Sequence, residues 1–170
     1  MSLLRAVGLR ELCEDDEKQA GHSHGGRDIV LLGCFRAGEV LVDQIHRNAP
    51  ELKKRILVVD YNPAIRAALE KRGFHWAYGD LAHPETLKHL HVEDASVVVC
   101  SVPDVFLKGT SNLKLLSHLK QLAPRARWIM TSDDAKSAEK LRASGAHDAV
   151  TAAELAGARF YELLCGASSA

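Results

Sequence analysis

From Asp28 onward, six short and nearly continuous apolar runs recur, each followed by a stretch of helical spacing. That alternation leaves few folds open. The runs are Asp28–Gly33, Arg55–Asp60, Phe74–Tyr78, Ala95–Ser101, Arg127–Thr131 and His147–Val150. Between and after them, Ala37–Arg47, Pro63–Arg72, Pro84–Leu90, Asp134–Ser144 and Ala152–Leu164 carry helical patterns. Val105–Leu122 is also expected to be largely helical, with a start as late as Thr110. Strands that are apolar on both sides of the pleat must be covered on both faces, as parallel sheets are. Right-handed crossovers then predict an α/β fold: a doubly wound, Rossmann-like parallel sheet of six strands in the order 3-2-1-4-5-6. Ligands in such sheets bind outside the carboxyl ends of the strands, where the winding reverses between strands one and four.

Residues 1–26 read differently. Met1–Leu12 has the apolar spacing of a short helix, and an acidic run and the Gly21–Gly26 stretch follow it. Polar, glycine-rich sequence without apolar period reads as a linker. His22 and His24 within it have no further ligand nearby, so a linker pair is favoured over a metal site. The predicted organisation is therefore an N-terminal helical extension and linker over 1–26, a domain over 27–165 and a tail over 166–170. The 22 Lys+Arg balance the 22 Asp+Glu, which gives no bulk basic field for nucleic acid. The four cysteines form no CxxC pair, and two of them, Cys34 and Cys100, sit in or against apolar runs as buried thiols would. No apolar stretch is long enough to span a bilayer.

The first run ends in Gly33-Cys34-Phe35-Arg36-Ala37-Gly38. This keeps the first and last glycines of the dinucleotide fingerprint, in the right strand-turn-helix context, and replaces the middle one by Phe35. The first glycine permits the tight turn and the last permits close packing of helix on strand; the middle one normally lets backbone approach a pyrophosphate. A benzyl group at that point obstructs the pyrophosphate seat or forces it aside. Asp60 ends the second run, 22 residues after Gly38. A carboxylate there accepts hydrogen bonds from a ribose and repels a 2′-phosphate, or else it caps the helix that follows. Asp80, after Gly79, could receive the amine of an adenine or could be a turn acid before Pro84. Arg36 could meet a phosphate or an acidic neighbour. Tyr61 and Leu81, beside the two acids, and Ser101 and Val102, after the fourth strand, complete the predicted rim.

As an ordered set, these residues resemble the TrkA-N family, also called RCK or KTN domains, over about residues 27–160. The set runs through Gly33, Arg36, Gly38, Asp60, Gly79 and Asp80 and the Ser96–Ser101 strand. It continues through Thr110, Asn112 and Leu113 to Leu141, Gly145, Ala146, Val150 and Leu155. The variant turn is similar to that of the members attached to Kef-type monovalent cation:proton antiporters. The resemblance implies a regulatory domain without chemistry of its own, on the cytoplasmic face of the inner membrane. It would be joined to a transmembrane antiporter domain in the same chain or as a separate subunit, and the start of this chain would then be a truncation. It implies binding of AMP or NAD(H), with NADP disfavoured. Asp60 would hold the ribose and Asp80 the adenine. Gly33, Arg36 and Gly38 would line the phosphate side, with Ser101 and Val102 bordering the cleft. With Phe35 in the turn, a mononucleotide fits more easily than a dinucleotide. It also implies homodimers. The last helix carries Leu155, Phe160, Tyr161, Leu163 and Leu164, enough apolar surface either to pair with a second copy or to cap the sheet edge.

Three other readings compete. A small NAD-dependent oxidoreductase needs an acid or base beside the nicotinamide, and the chain has no Tyr-x-x-x-Lys pair. A methyltransferase would add an antiparallel seventh strand. A degenerate module, its pocket closed by Phe35, would act by dimerising alone. The Lys114, His118 and Lys120 helix face reads as solvated.

Overall fold

The computed structural model describes residues 27–166 apart from Pro84. The helix expected over Met1–Leu12, the polar stretch with His22 and His24, and residues 167–170 lie outside the described residues. Six parallel strands form one sheet in the order 3-2-1-4-5-6, as the sequence predicts. They are β1 (Ile29–Leu32), β2 (Ile56–Asp60), β3 (His75–Tyr78), β4 (Val97–Cys100), β5 (Arg127–Ser132) and β6 (Asp148–Thr151). The helices are α1 (Ala37–Asn48), α2 (Arg66–Lys71), α3 (Glu85–Lys88), α4 (Asn112–Leu122), α5 (Ala135–Ala143) and α6 (Ala152–Gly166).

Alternation along the strands sorts the core into two layers. Val30 and Leu32 of β1, Leu57 and Val59 of β2 and Val98 of β4 meet Leu87, Leu115, Leu116, Leu119 and Leu141 on one face. Leu31, Val58 and Trp76 meet Val42 of α1 and Leu69 of α2 on the other. β1 pairs with β2 on one side and β4 on the other, Leu32 standing opposite both Val59 and Cys100. The carboxyl ends of these three strands are therefore level, and the loops that follow them meet at one place.

Two helix starts differ from the sequence reading. Pro63–Ile65 is a 3-10 turn capped by Asn62, whose side chain accepts from the Ala64 amide, and the α-helix begins only at Arg66. Residues 105–111 are not helical beyond a 3-10 turn at Asp104–Phe106, and α4 starts at Asn112 with Ser111 as its N-cap. Gly109, at φ 78°, interrupts the helical run, and Asn112, which is buried, anchors the start of α4. Its amide nitrogen donates to the Val102 and Thr131 carbonyls at 2.9 and 3.1 Å. Its backbone N–H donates to the Asp104 carboxylate at 2.5 Å. Anchored this way, the eight residues from Pro103 to Thr110 arch between β4 and α4 as a strap instead of extending the helix.

α6 follows β6 directly, and none of its residues is buried. Phe160 and Tyr161 are 64% and 69% exposed. Capping of the sheet edge, one of the two roles considered for this helix, is thereby corrected: its apolar side does not lie on the sheet. The basic face of α4 is not wholly solvated either, because Lys120 Nζ donates to the Ser144 carbonyl at the end of α5 at 2.9 Å.

Candidate functional site

The glycine turn that leaves β1 is held from three directions. The Gly33 amide donates to the Val59 carbonyl at 2.8 Å. Ser101 Oγ, at the end of β4, donates to the Gly33 carbonyl at 2.8 Å. The Cys34 amide donates to Asp60 Oδ2 at 2.7 Å. Gly33 has a φ of 83°, and a Cβ on it would stand 2.1 Å from Val102 Cγ2. A Cβ on Gly38 would stand 2.6 Å from Ser101 Oγ and 2.7 Å from the Gly33 carbonyl oxygen. Both glycines are required by contact, the first also by its backbone angle.

Arg36, the residue before α1, has φ 47° and ψ −98° without being glycine. Such a conformation costs roughly 1–3 kcal/mol and persists where the surroundings hold it. The surroundings here are aromatic. The Arg36 guanidinium carbon lies 5.1 Å from the Phe35 ring centroid and 5.0 Å from that of Phe106 on the strap. The two rings meet edge to face at 5.4 Å. This geometry is favourable for both the ring pair and the cation. Arg36 makes no ion pair among the described residues, so the acidic neighbour considered for it is absent there.

Beside this turn lies a cleft of about 640 Å³. Of the residues singled out in the sequence, it is lined by Gly33, Cys34, Phe35, Asp60, Tyr61, Gly79, Asp80, Leu81 and Val102. Gly38, Ser101 and Arg36 are not in its wall. The first two act behind it by shaping the turn, and Arg36 sits on the aromatic pair. Sequence reasoning missed Glu39, Asn62, Tyr78, His83, Phe106 and Lys108, which also line the cleft. Glu39 was findable as the residue after the last glycine. Phe106 and Lys108 were hidden by the expectation that their segment is helical.

Each acid in the cleft has a structural duty as well. Asp60, 6% exposed, ties Cys34 through one oxygen and accepts from the Asn62 amide at 2.8 Å through the other. Asp80 accepts from the Ala82 amide at 2.9 Å and faces His83 Nδ1 at 3.0 Å. Turn acid and cleft acid are thus not exclusive: a carboxylate oxygen has about two acceptor sites, so each keeps capacity toward a ligand. Burial, followed by the Asp60 charge, pushes the Cys34 thiol up to about 11. It is held as a thiol near neutral pH and is a poor nucleophile. Burial likewise pushes Cys100 up to about 12, and its Sγ donates to Asn112 Oδ1 at 3.3 Å. Cys100 is a packing thiol.

A doubly wound sheet with a glycine turn, an acid at the end of β2 and a second acid after β3 around one cleft defines the class of Rossmann-type α/β domains. The TrkA-N domain model matches residues 29–152, and this chain belongs to the TrkA-N domain family. Solved structures give the same fold. The TrkA-N domain of the inner membrane protein ybaL from Escherichia coli is 18% identical with a TM-score of 0.68, over 81% of this chain and 96% of that one. The NAD(P)-binding domain of an exopolyphosphatase-related protein from Archaeoglobus fulgidus is 23% identical with a TM-score of 0.67, over 82% and 98%. The GsuK channel bound to NAD is 23% identical with a TM-score of 0.55, over 72% of this chain and 21% of the channel, and GsuK is also solved bound to ADP. No curated protein sequence matches the chain.

Proposed function

We propose that this chain is the cytosolic regulatory domain of a potassium or other monovalent-cation transport system, of the Kef-like cation:proton antiporter type. In this reading it binds AMP or NAD(H) and performs no chemistry itself. One observation carries the reading: Asp60 and Asp80 converge on one cleft beside the glycine turn, each with acceptor capacity left over. Asp60 holds the ribose hydroxyls and disfavours the 2′-phosphate of NADP; Asp80 receives the adenine amine. Gly33, Cys34 and Phe35 form the phosphate side, with Gly38 and Ser101 shaping the turn behind it and Arg36 on its aromatic pair, and Tyr61, Gly79, Leu81 and Val102 complete the surround. The partner is a transmembrane antiporter domain, in the same chain or separate, which places the domain on the cytoplasmic face of the cell membrane. The uncovered apolar side of α6 supports pairing with a second copy. The nucleotide acts on transport through its differential affinity for two arrangements, a coupling of typically about 1–3 kcal/mol.

Thermal-shift titration with AMP, ADP, ATP, NAD, NADH, NADP and S-adenosylmethionine tests this. A ligand at one hundred times its dissociation constant stabilises by about 2.7 kcal/mol, several degrees for a domain of this size. The expected result is a shift with AMP or NAD(H), weaker with NADP. No shift with any of them, in protein stripped of co-purified nucleotide, would instead identify a module that acts by contact alone.

A further inference from the structure

The acids of the cleft create a difficulty for any phosphorylated ligand. Glu39, Asp60 and Asp80 all line it, and the Glu39 side chain makes no hydrogen bond or ion pair among the described residues. A 5′-phosphate entering beside three carboxylates is repelled unless cations meet it. Arg36 offers one, but its guanidinium rests on Phe35 and Phe106 and its side chain is not in the cleft wall. Lys108 is the one Lys or Arg side chain among the residues that line the cleft. It is exposed and makes no ion pair among the described residues. Asp104, the acid nearest to it in the strap, is engaged by the Asn112 amide.

The strap holds Lys108 in register with the glycine turn. Its base is pinned by Asn112 to the Val102 and Thr131 carbonyls. Its 3-10 turn is closed by Phe106 N–H to Pro103 O and Leu107 N–H to Asp104 O, both at 3.0 Å. Leu107 packs against the core. Phe106 docks edge to face on Phe35. Lys108 thus stands two residues beyond a docked aromatic, on a segment fixed at its base and middle, and lines the cleft.

Resting on the nucleotide reading, we propose that Lys108 is the residue that holds the ligand's phosphate, from the strap and opposite the glycine turn. The cleft then takes an adenine nucleotide with a charged 5′-phosphate in preference to the bare nucleoside. Glu39, in the same wall, sets how much cationic charge is needed.

Isothermal titration of the chain with AMP and with adenosine separates this from the reading beneath it. Wild type binds AMP more tightly than adenosine. Lys108→Gln weakens AMP about tenfold, the scale of one charge-assisted hydrogen bond, and leaves adenosine within about twofold. Lys108→Arg restores most of the AMP affinity, and Glu39→Gln strengthens AMP. Unchanged AMP binding in Lys108→Gln overturns the assignment while leaving nucleotide binding intact. So does an equal loss for AMP and adenosine, which would make Lys108 a contact to the nucleoside. Failure of wild type to bind either ligand overturns both the assignment and the nucleotide reading.

Discussion

The two ends of the sheet use the same kinds of side chain to opposite effect. At the amino end, Asp28 before β1 receives Arg55 Nε and Nη2 at 2.8 and 2.7 Å and Ser96 Oγ at 2.6 Å. Its carbonyl also accepts from the Ser96 and Val97 amides. One carboxylate thereby fastens the starts of β1, β2 and β4, with its charge met by a bidentate arginine. At the carboxyl end of the same strands, Asp60 and Asp80 accept from backbone amides, and neither meets a Lys or Arg in an ion pair among the described residues. Glu39, Arg36 and Lys108 are likewise without ion-pair partners there. Charge is closed off where the sheet only needs joining and left open where a ligand would enter. In this domain the amino-end carboxylate is closed by arginine, while Asp60 and Asp80 at the carboxyl end are left to backbone amides and His83.

The largest expected break comes from the turn that makes the open end possible. Gly33→Ala meets Val102 and places a side chain at positive φ, each worth on the order of 1–3 kcal/mol. We expect a loss of about 3 kcal/mol, seen as a melting temperature lower by roughly 10 °C, together with loss of nucleotide binding. An unchanged melting temperature would show that Val102 yields freely. Asp60→Asn is the next sharpest probe. Asparagine keeps one acceptor but presents a donor where the Cys34 or Asn62 amide now donates. We expect at least a tenfold loss of AMP affinity, about 1.4 kcal/mol, with a melting temperature lowered by only a few degrees. Asp60→Ala would confound the two effects, since it releases the glycine turn.

The contrast also explains what could be read from the sequence. Strand order followed from the apolar runs, because burial on both faces leaves little choice of topology. Gly33 and Asp60 were visible because their roles are local to a turn and a strand end. Phe106 and Lys108 were not, because their apolar segment runs straight into the leucine-rich helix that follows it. Gly109, at φ 78°, breaks the run locally, but the anchoring of Asn112 forward to β5 is a long-range contact and leaves no local pattern. The Arg36 stack on Phe35 and Phe106 was hidden for the same reason: Phe106 lies 70 residues beyond Arg36. The free apolar side of α6 was legible as excess hydrophobicity, while its position off the sheet was not.

At the closed end the effects are smaller and purely structural. Asp28→Asn removes the charge that Arg55 meets. Because Asp28 is 31% exposed at its side chain, solvent screening reduces the benefit to about 1 kcal/mol. We expect a modest drop in melting temperature and no change in AMP affinity; a changed affinity would show that the two ends are coupled through β1. The same carboxylate sets the weakest expected effect, in acid. The hydrogen bond from Arg55, then that from Ser96, holds Asp28 at about 2, below its ordinary 3.8. A carboxyl lowered by folding stabilises fully above its unfolded value and loses that contribution as pH falls through the folded one. The contribution is therefore intact above about pH 4 and fades between about pH 4 and 2. Denaturant midpoints of wild type and Asp28→Asn, measured side by side, should be separated at pH 6 and converge by about pH 2. A separation that persists at pH 2 would mean that the Asp28 side chain acts through the shape of its hydrogen bonds to Arg55 and Ser96 and not through its charge.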